Sequence, residues 1–325
     1  GVSFVDIAAG YAHTWGTKDD GSVVCWGFNL DGDAIPPSGK FVSLASGTAG
    51  KCGIREDGSA ACWGTDRFGE TTPPAGNFEK VSAGTYHSCG IKDDGSVLCW
   101  GRDNEGQSSP PTGTFSDVSV GSFHTCAIRD DGSVTCWGRD EWCVDDENPR
   151  TPPTCYDNVL GAPAGSFRRL SAGYAHTCGI KSDGDVACWG TGALVQTQAP
   201  AGPFQELATS GTYACGLKEN GSVTCWLTFG TGVPAPPAGT FTKLTSGGKH
   251  VCGIKDHGSL VCWGRNIEAQ ATSPAGGFKS LSVSFNHGCA IRDDGTVACW
   301  GMTSNGGPMP SRPGKFIRLS VGNTQ

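Results

Sequence analysis

A chain of 325 residues with 51 glycines, 19 prolines and only 17% charged residues has the turn-rich composition of an all-β protein and little room for helix. Its formal charge of −7, with the 24 lysines and arginines scattered, offers no basic field for phosphates and argues against nucleic-acid partners. No stretch approaches roughly eighteen consecutive apolar residues and Gly1 opens no basic, apolar-cored leader, so a mature soluble chain without membrane attachment is expected.

In chain order, Phe4, Phe41, Phe78, Phe115, Phe167, Phe204, Phe241 and Phe278 each open a segment of the form Phe-x-x-Leu/Val/Ile-Ser/Ala, with Thr245 in the last place after Phe241. Phe316 opens a ninth, partial one within 315–325. A second marker runs in phase: Cys-Trp-Gly starts at Cys25, Cys62, Cys99, Cys136, Cys188, Cys262 and Cys299, and Cys-Trp-Leu at Cys225. The step is 37 residues throughout, except for 52 between Cys136 and Cys188, where an insertion occupies about 139–160. A fixed period of this length marks a repeat architecture.

The third unit serves as a template. Phe78 to Ala83 alternates apolar and polar and predicts a first strand; His87 to Ile91 and Val97 to Trp100 predict two more around Asp93-Asp94-Gly95. The loop fits a type I turn closed by a left-handed glycine. Pro73-Pro74-Ala75-Gly76 then reads as a connection, since proline removes a ladder donor. Three or four strands per unit cannot bury their faces alone, so the units must stack around an axis. The prediction is one closed, all-β propeller over 1–325 with eight blades, or seven if Phe4 to Gly10 and Phe316 to Gly322 compete for one place.

Within the template, Lys92 opposite Ser96 makes Cys89 and Cys99 a non-hydrogen-bonded pair, the closer kind, where a cross-strand disulfide fits. The same ten-residue spacing predicts Cys52–Cys62, Cys126–Cys136, Cys178–Cys188, Cys215–Cys225, Cys252–Cys262 and Cys289–Cys299. Cys143 and Cys155 most simply bridge each other within the insertion. Cys25 is left unpaired because Trp15 holds its partner position; it is read as a buried thiol, or as a bond to another chain. So many bridges imply a secreted, extracellular protein. Zinc would want close ligand pairs, and no Cys-x-x-Cys exists, so no metal and no cofactor is expected.

Ala-Gly-x-x-His followed by Asp-Gly-Ser-Val-x-x-Trp-Gly resembles the blade motif of the regulator-of-chromosome-condensation superfamily across essentially the whole chain. The 37-residue step is similar to its short-blade members, among them propeller-type β-lactamase inhibitory proteins, and the paired cysteines resemble those of crinkly-type receptor ectodomains. The resemblance implies a binding module rather than an enzyme, with partner contacts from aromatic residues in two loops of each blade. The matching positions are Tyr11, Tyr86, Phe123, Tyr174, Tyr213 and Phe285 after Ala-Gly, and Phe28, Phe68, Trp142 and Phe229 after Trp-Gly. Eight units and the cysteines depart from the inhibitory proteins. One fold hosts many functions, so this likeness speaks to function less than to fold.

Other patterns have plainer readings. The tryptophans, exemplified by Trp100 over Gly90, are expected in the core. His13, His87, His124, His176, His250 and His287 form a ring interrupted by Gly50 and Tyr213, which reads as one structural hydrogen bond within each hairpin rather than a metal or catalytic site. Ser, His and Asp recur in most units, whereas a triad needs one asymmetric constellation. The insertion, with Asp145, Asp146 and Glu147, reads as a partner-contacting loop before a calcium site. Asn220-Gly221-Ser222 fits an N-glycosylation acceptor. A macromolecular partner, protein or glycan, bound at one rim is the leading expectation. Lectin-like binding by repeated blade sites, or self-association by strand addition through 315–325, is the alternative.

Overall fold

Phe and Leu three places apart cannot share one face of a regular strand, whose side chains alternate. The inner strands resolve this with a bulge. Phe78 stands opposite Lys92 and the next pair is Lys80 with Ile91, so two residues face one and Phe78 and Val81 both turn into the core. The same shift recurs in every inner strand, which corrects the simple alternation read from the sequence.

The computed structural model describes residues 4–9, 13–18, 20–27, 35–47, 50–144, 154–156, 159–190, 199–210, 213–227 and 235–302, with the backbone alone for 4–9, 13, 26–27, 142–144, 154–156 and 227. It contains eight three-stranded antiparallel sheets, each ordered inner, middle, outer along the chain. The inner strands are Phe4–Ala9, Phe41–Ser46, Phe78–Ala83, Phe115–Val120, Phe167–Ala172, Phe204–Thr209, Phe241–Ser246 and Phe278–Val283. They open blades 1 to 8 at the predicted starts. Blade 1 takes its inner strand from Phe4–Ala9, so eight blades are complete without Phe316 to Gly322, which lies outside the described residues.

Gly95 closes the hairpin turn of blade 3 with φ of 78°, a conformation that a Cβ disfavours. Its N–H donates to the Lys92 carbonyl, and the Ser96 N–H and hydroxyl both donate to the Asp94 carboxylate (2.9 and 2.5 Å). Those bonds hold the Asp94 carboxyl well below the usual range. The Gly95 carbonyl in turn accepts the Phe115 N–H of blade 4 at 2.9 Å, so each turn docks the start of the following blade.

The core lies between blades rather than within them. Cys89, Ile91 and Val97 of blade 3 pack with Phe115, Val118, Val120 and Trp137 of blade 4. Fully burying a phenylalanine contributes roughly 1.5–3 kcal/mol, and each of blades 2 to 8 supplies one from the start of its inner strand. A Cβ on Gly90 would meet the Phe78 ring at 2.5 Å, so the space at Gly90 belongs to Phe78 and not to Trp100 as anticipated. Trp100 instead reaches back, donating its indole N–H to the Glu70 carbonyl of blade 2 at 3.1 Å.

The seven predicted hairpin bridges form, with Cα separations of 4.0–4.1 Å. Cys25 is a free thiol opposite Trp15, and burial pushes its pKa up. Trp142–Val144 and Thr154–Tyr156 pair across the insertion with Cys143 opposite Cys155; their side chains, and Asp145, Asp146 and Glu147, lie outside the described residues.

Candidate functional site

In a three-stranded antiparallel blade, the loop leaving the inner strand and the loop leaving the outer strand emerge at the same end. They are tied there by backbone bonds: the Arg102 N–H donates to the Tyr86 carbonyl (2.8 Å) and the Arg139 N–H to the Phe123 carbonyl (2.9 Å). The loop after the outer strand has a fixed build. Glu70, Gln107 and Gln270 turn inward at the next blade, and their side chains accept the N–H of Phe68, Glu105 and Glu268, respectively. Their carbonyls receive Trp100, Trp137 and Trp300. These pegs were missed in the sequence, although a Glu or Gln thirty residues before each of these tryptophans was there to be seen.

The loop histidines are structural in a different way from the hairpin bond expected. Each bond crosses to the next blade: His87 to Thr125 (2.8 Å), His124 to Thr177 (2.8 Å) and His287 to Thr14 (3.1 Å). The last of these joins blade 8 to blade 1 by the contact that joins blade 3 to blade 4, and so closes the ring. Burial holds His87 and His124 down at about 3, and His176, His250 and His287 at about 4. They are neutral at physiological pH.

On this rim the predicted aromatics of blades 2 to 5 meet. Phe68 and Tyr86 pack edge to face at 5.6 Å, and Phe123 and Tyr174 at 5.9 Å. Two arginines absent from the sequence reading join the pairs into one band. Arg102 lies over Phe68 (5.7 Å) and over Phe123 (5.5 Å), and Arg139 over Phe123 (5.8 Å). Phe68 is 44% and Tyr174 36% exposed. Burial raises the Tyr174 pKa, with Arg139 opposing.

Among the described residues, Tyr213 and Phe285 stand apart from this band. Tyr213 is 4% exposed, because it occupies the histidine position at the start of a middle strand and points into the core; it is no surface contact. Phe285 belongs to blade 8 and covers Gly248 of blade 7, where a Cβ would meet its ring at 2.3 Å. Tyr11, Phe28 and Phe229, and the side chain of Trp142, lie outside the described residues. Asn220 is exposed in its hairpin turn at the opposite end of the blades, its side-chain oxygen accepting the N–H and hydroxyl of Ser222.

A central cavity of about 370 Å³ is lined by the inner strands of blades 2 to 7. Its polar groups are largely used between blades: Lys80 pairs with Asp117 (2.7 Å), the Ser82 hydroxyl accepts the Val120 N–H, and the Glu206 carboxylate accepts the Leu244 N–H. Burial raises the Glu206 pKa. Among the described residues no helix is long and apolar enough to cross a membrane.

The repeat model of the regulator of chromosome condensation (RCC1) matches residues 4–33, 78–107, 115–141, 167–193, 241–270 and 278–306, more than half of the chain. The chain belongs to the RCC1 repeat family. Among solved structures, this RCC1-repeat chain is similar to the entire ectodomain of receptor kinase CR4 from Physcomitrella patens, with 26% identity over 81% of this chain and 74% of that one and a TM-score of 0.61. It is likewise similar to the crinkly ectodomain of receptor kinase ACR4 from Arabidopsis thaliana, with 26% identity over 96% and 100% of the two chains and a TM-score of 0.57. Human WBSCR16, at 15% identity over 90% and 87% and a TM-score of 0.56, shares the fold. No curated protein matches the sequence.

Proposed function

We propose that this protein is an extracellular, non-catalytic recognition propeller that binds a protein partner through the band formed by Phe68, Tyr86, Arg102, Phe123, Arg139 and Tyr174. The observation that carries the reading is the convergence of aromatics and arginines from four consecutive blades into one connected surface, with Phe68 and Tyr174 exposed and the other four half-buried. Aromatic and arginine side chains dominate binding energy at protein interfaces, because they cover much area with few rotatable bonds. Buried hairpin bridges support an oxidising compartment, and the likeness to plant receptor ectodomains supports an extracellular recognition role.

The test is retention of a partner from the extracellular fraction of the source organism by immobilised wild type, a Phe123→Ala/Tyr174→Ala variant, and an opposite-end control, Glu56→Ala. The reading expects one retained protein, lost with the rim variant and kept by the control. Retention that survives the rim changes, or that free sugars abolish, refutes it and favours repeated glycan sites.

A further inference from the structure

Arg102 is the one cation in the band that is both stacked and left without an acceptor among the described residues. Its guanidinium carbon lies over the rings of both Phe68 and Phe123, 5.7 and 5.5 Å from their centroids, so two rings hold the arm on the rim. Stacking uses the faces of the group and leaves the N–H donors on its edge. Its Nε is completely buried and has no hydrogen-bond partner.

Among the described residues, the carboxylates of the neighbouring rim loops bond within their own loops, and none forms an ion pair with Arg102. Asp103 closes its own loop, accepting the Ser108 N–H and the Ser109 hydroxyl, both at 2.7 Å. Asp66 and Asp140 accept the N–H groups of Thr71 and Leu160, and Glu70 accepts the Phe68 N–H at 2.6 Å through one oxygen while its other is buried without a hydrogen-bond partner. The corresponding Arg265 of blade 7 has Glu268 at 3.9 Å, and the Arg139 Nε donates to the Glu141 carbonyl at 2.8 Å.

A half-buried cation with no counter-charge is costly unless something arrives to complete it. We infer that the partner inserts a single aspartate or glutamate carboxylate onto the edge of Arg102, with apolar neighbours against Phe68, Phe123 and Tyr174. A planar fork held by two rings is preorganised for a bidentate carboxylate. A polyanion fits less well, since it demands several cations and this chain carries a net charge of −7. The inference rests on the rim being the binding surface.

The experiment pans the intact, disulfide-bonded chain against a phage-displayed library of short random peptides. Peptides that bind wild type and not Phe123→Ala/Tyr174→Ala are kept. These are expected to contain Asp or Glu beside an apolar residue. Arg102→Gln, or amidation of that carboxylate, should weaken binding about tenfold or more, and both changes together should cost little beyond either alone. Arg102→Lys, which keeps the charge but loses the planar fork, should recover only part of the affinity, and thermal melts check that each variant is folded. Rim-dependent peptides without a carboxylate, or indifferent to Arg102→Gln, overturn the inference and leave the rim reading standing. A selection that yields only rim-independent peptides overturns both.

Discussion

Blades 3 to 5 and blades 5 to 8 share one backbone plan but are joined differently. In the first arc, His87 and His124 each reach a threonine hydroxyl in the following blade, and Thr125 and Thr177 also lie 3.7 and 3.5 Å from the bridge sulfurs of Cys89 and Cys126. In the second arc the matching positions are Ala214, Val251 and Gly288, which carry no hydroxyl. Both ring nitrogens of His176 and His250 are accordingly buried without a partner among the described residues. The apolar seams and other links, such as Ser171 to Thr209 (2.8 Å) and the Ser246 hydroxyl on the Thr209 carbonyl (2.7 Å), hold that arc instead. The aromatic and arginine band stands over blades 2 to 5, largely above the latched arc. The surface proposed to bind a partner needs fixed supports, and the redundant joints lie beneath it.

The largest expected effect erases the difference between the arcs, because acid loads both. Burial depresses the folded-state pKa of His87, His124, His176, His250 and His287 below the usual 6.5. The unfolded chain therefore binds more protons than the folded one between about pH 6.5 and 3. Their contribution to stability is complete above pH 6.5 and falls away as the pH drops through that window, by on the order of several kcal/mol in all. Denaturant midpoints between pH 7 and pH 4 measure it; a flat profile contradicts the burial of these rings.

A smaller change separates the arcs. Thr177→Val strips the hydroxyl from a latched joint and leaves the His124 nitrogen stranded, at a cost of about 1–3 kcal/mol. The opposite change is the gentlest. Ala214→Ser supplies a hydroxyl within the next blade's reach of His176 and should stabilise by about 0.5–1 kcal/mol, read as a raised melting temperature. If Thr177→Val is silent while Ala214→Ser destabilises, the latch is incidental to the ring.

Much of this architecture was legible in the residues. The blade starts, the left-handed turn glycine and the seven bridges all follow from features repeated within one unit, where local register decides the outcome. The latches and the tryptophan pegs were not, since each joins residues of different units and is invisible to a reading that treats one unit as a template. Their trace was nevertheless present: Thr125, Thr177 and Thr14 each follow the histidine position of the blade after His87, His124 and His287. Tyr213 was misplaced because its aromatic character outweighed its phase, which put it on a histidine position. Arg102 and Arg139 escaped notice because cations were weighed by clustering along the chain, whereas the rings gather them across blades.

Along the same rim, three of the glycines that follow inner strands approach the next blade backbone to backbone. A Cβ on Gly47, Gly84 or Gly247 would come within about 2 Å of the carbonyl of Gly84, Gly121 or Ser284. At these three seams main chain meets main chain, so the spacing there does not depend on the side chains the loop tips carry. Such a chassis lets the tips diversify as interchangeable cassettes, so new specificities can arise by rewriting loop tips while the spacing between them stays constant.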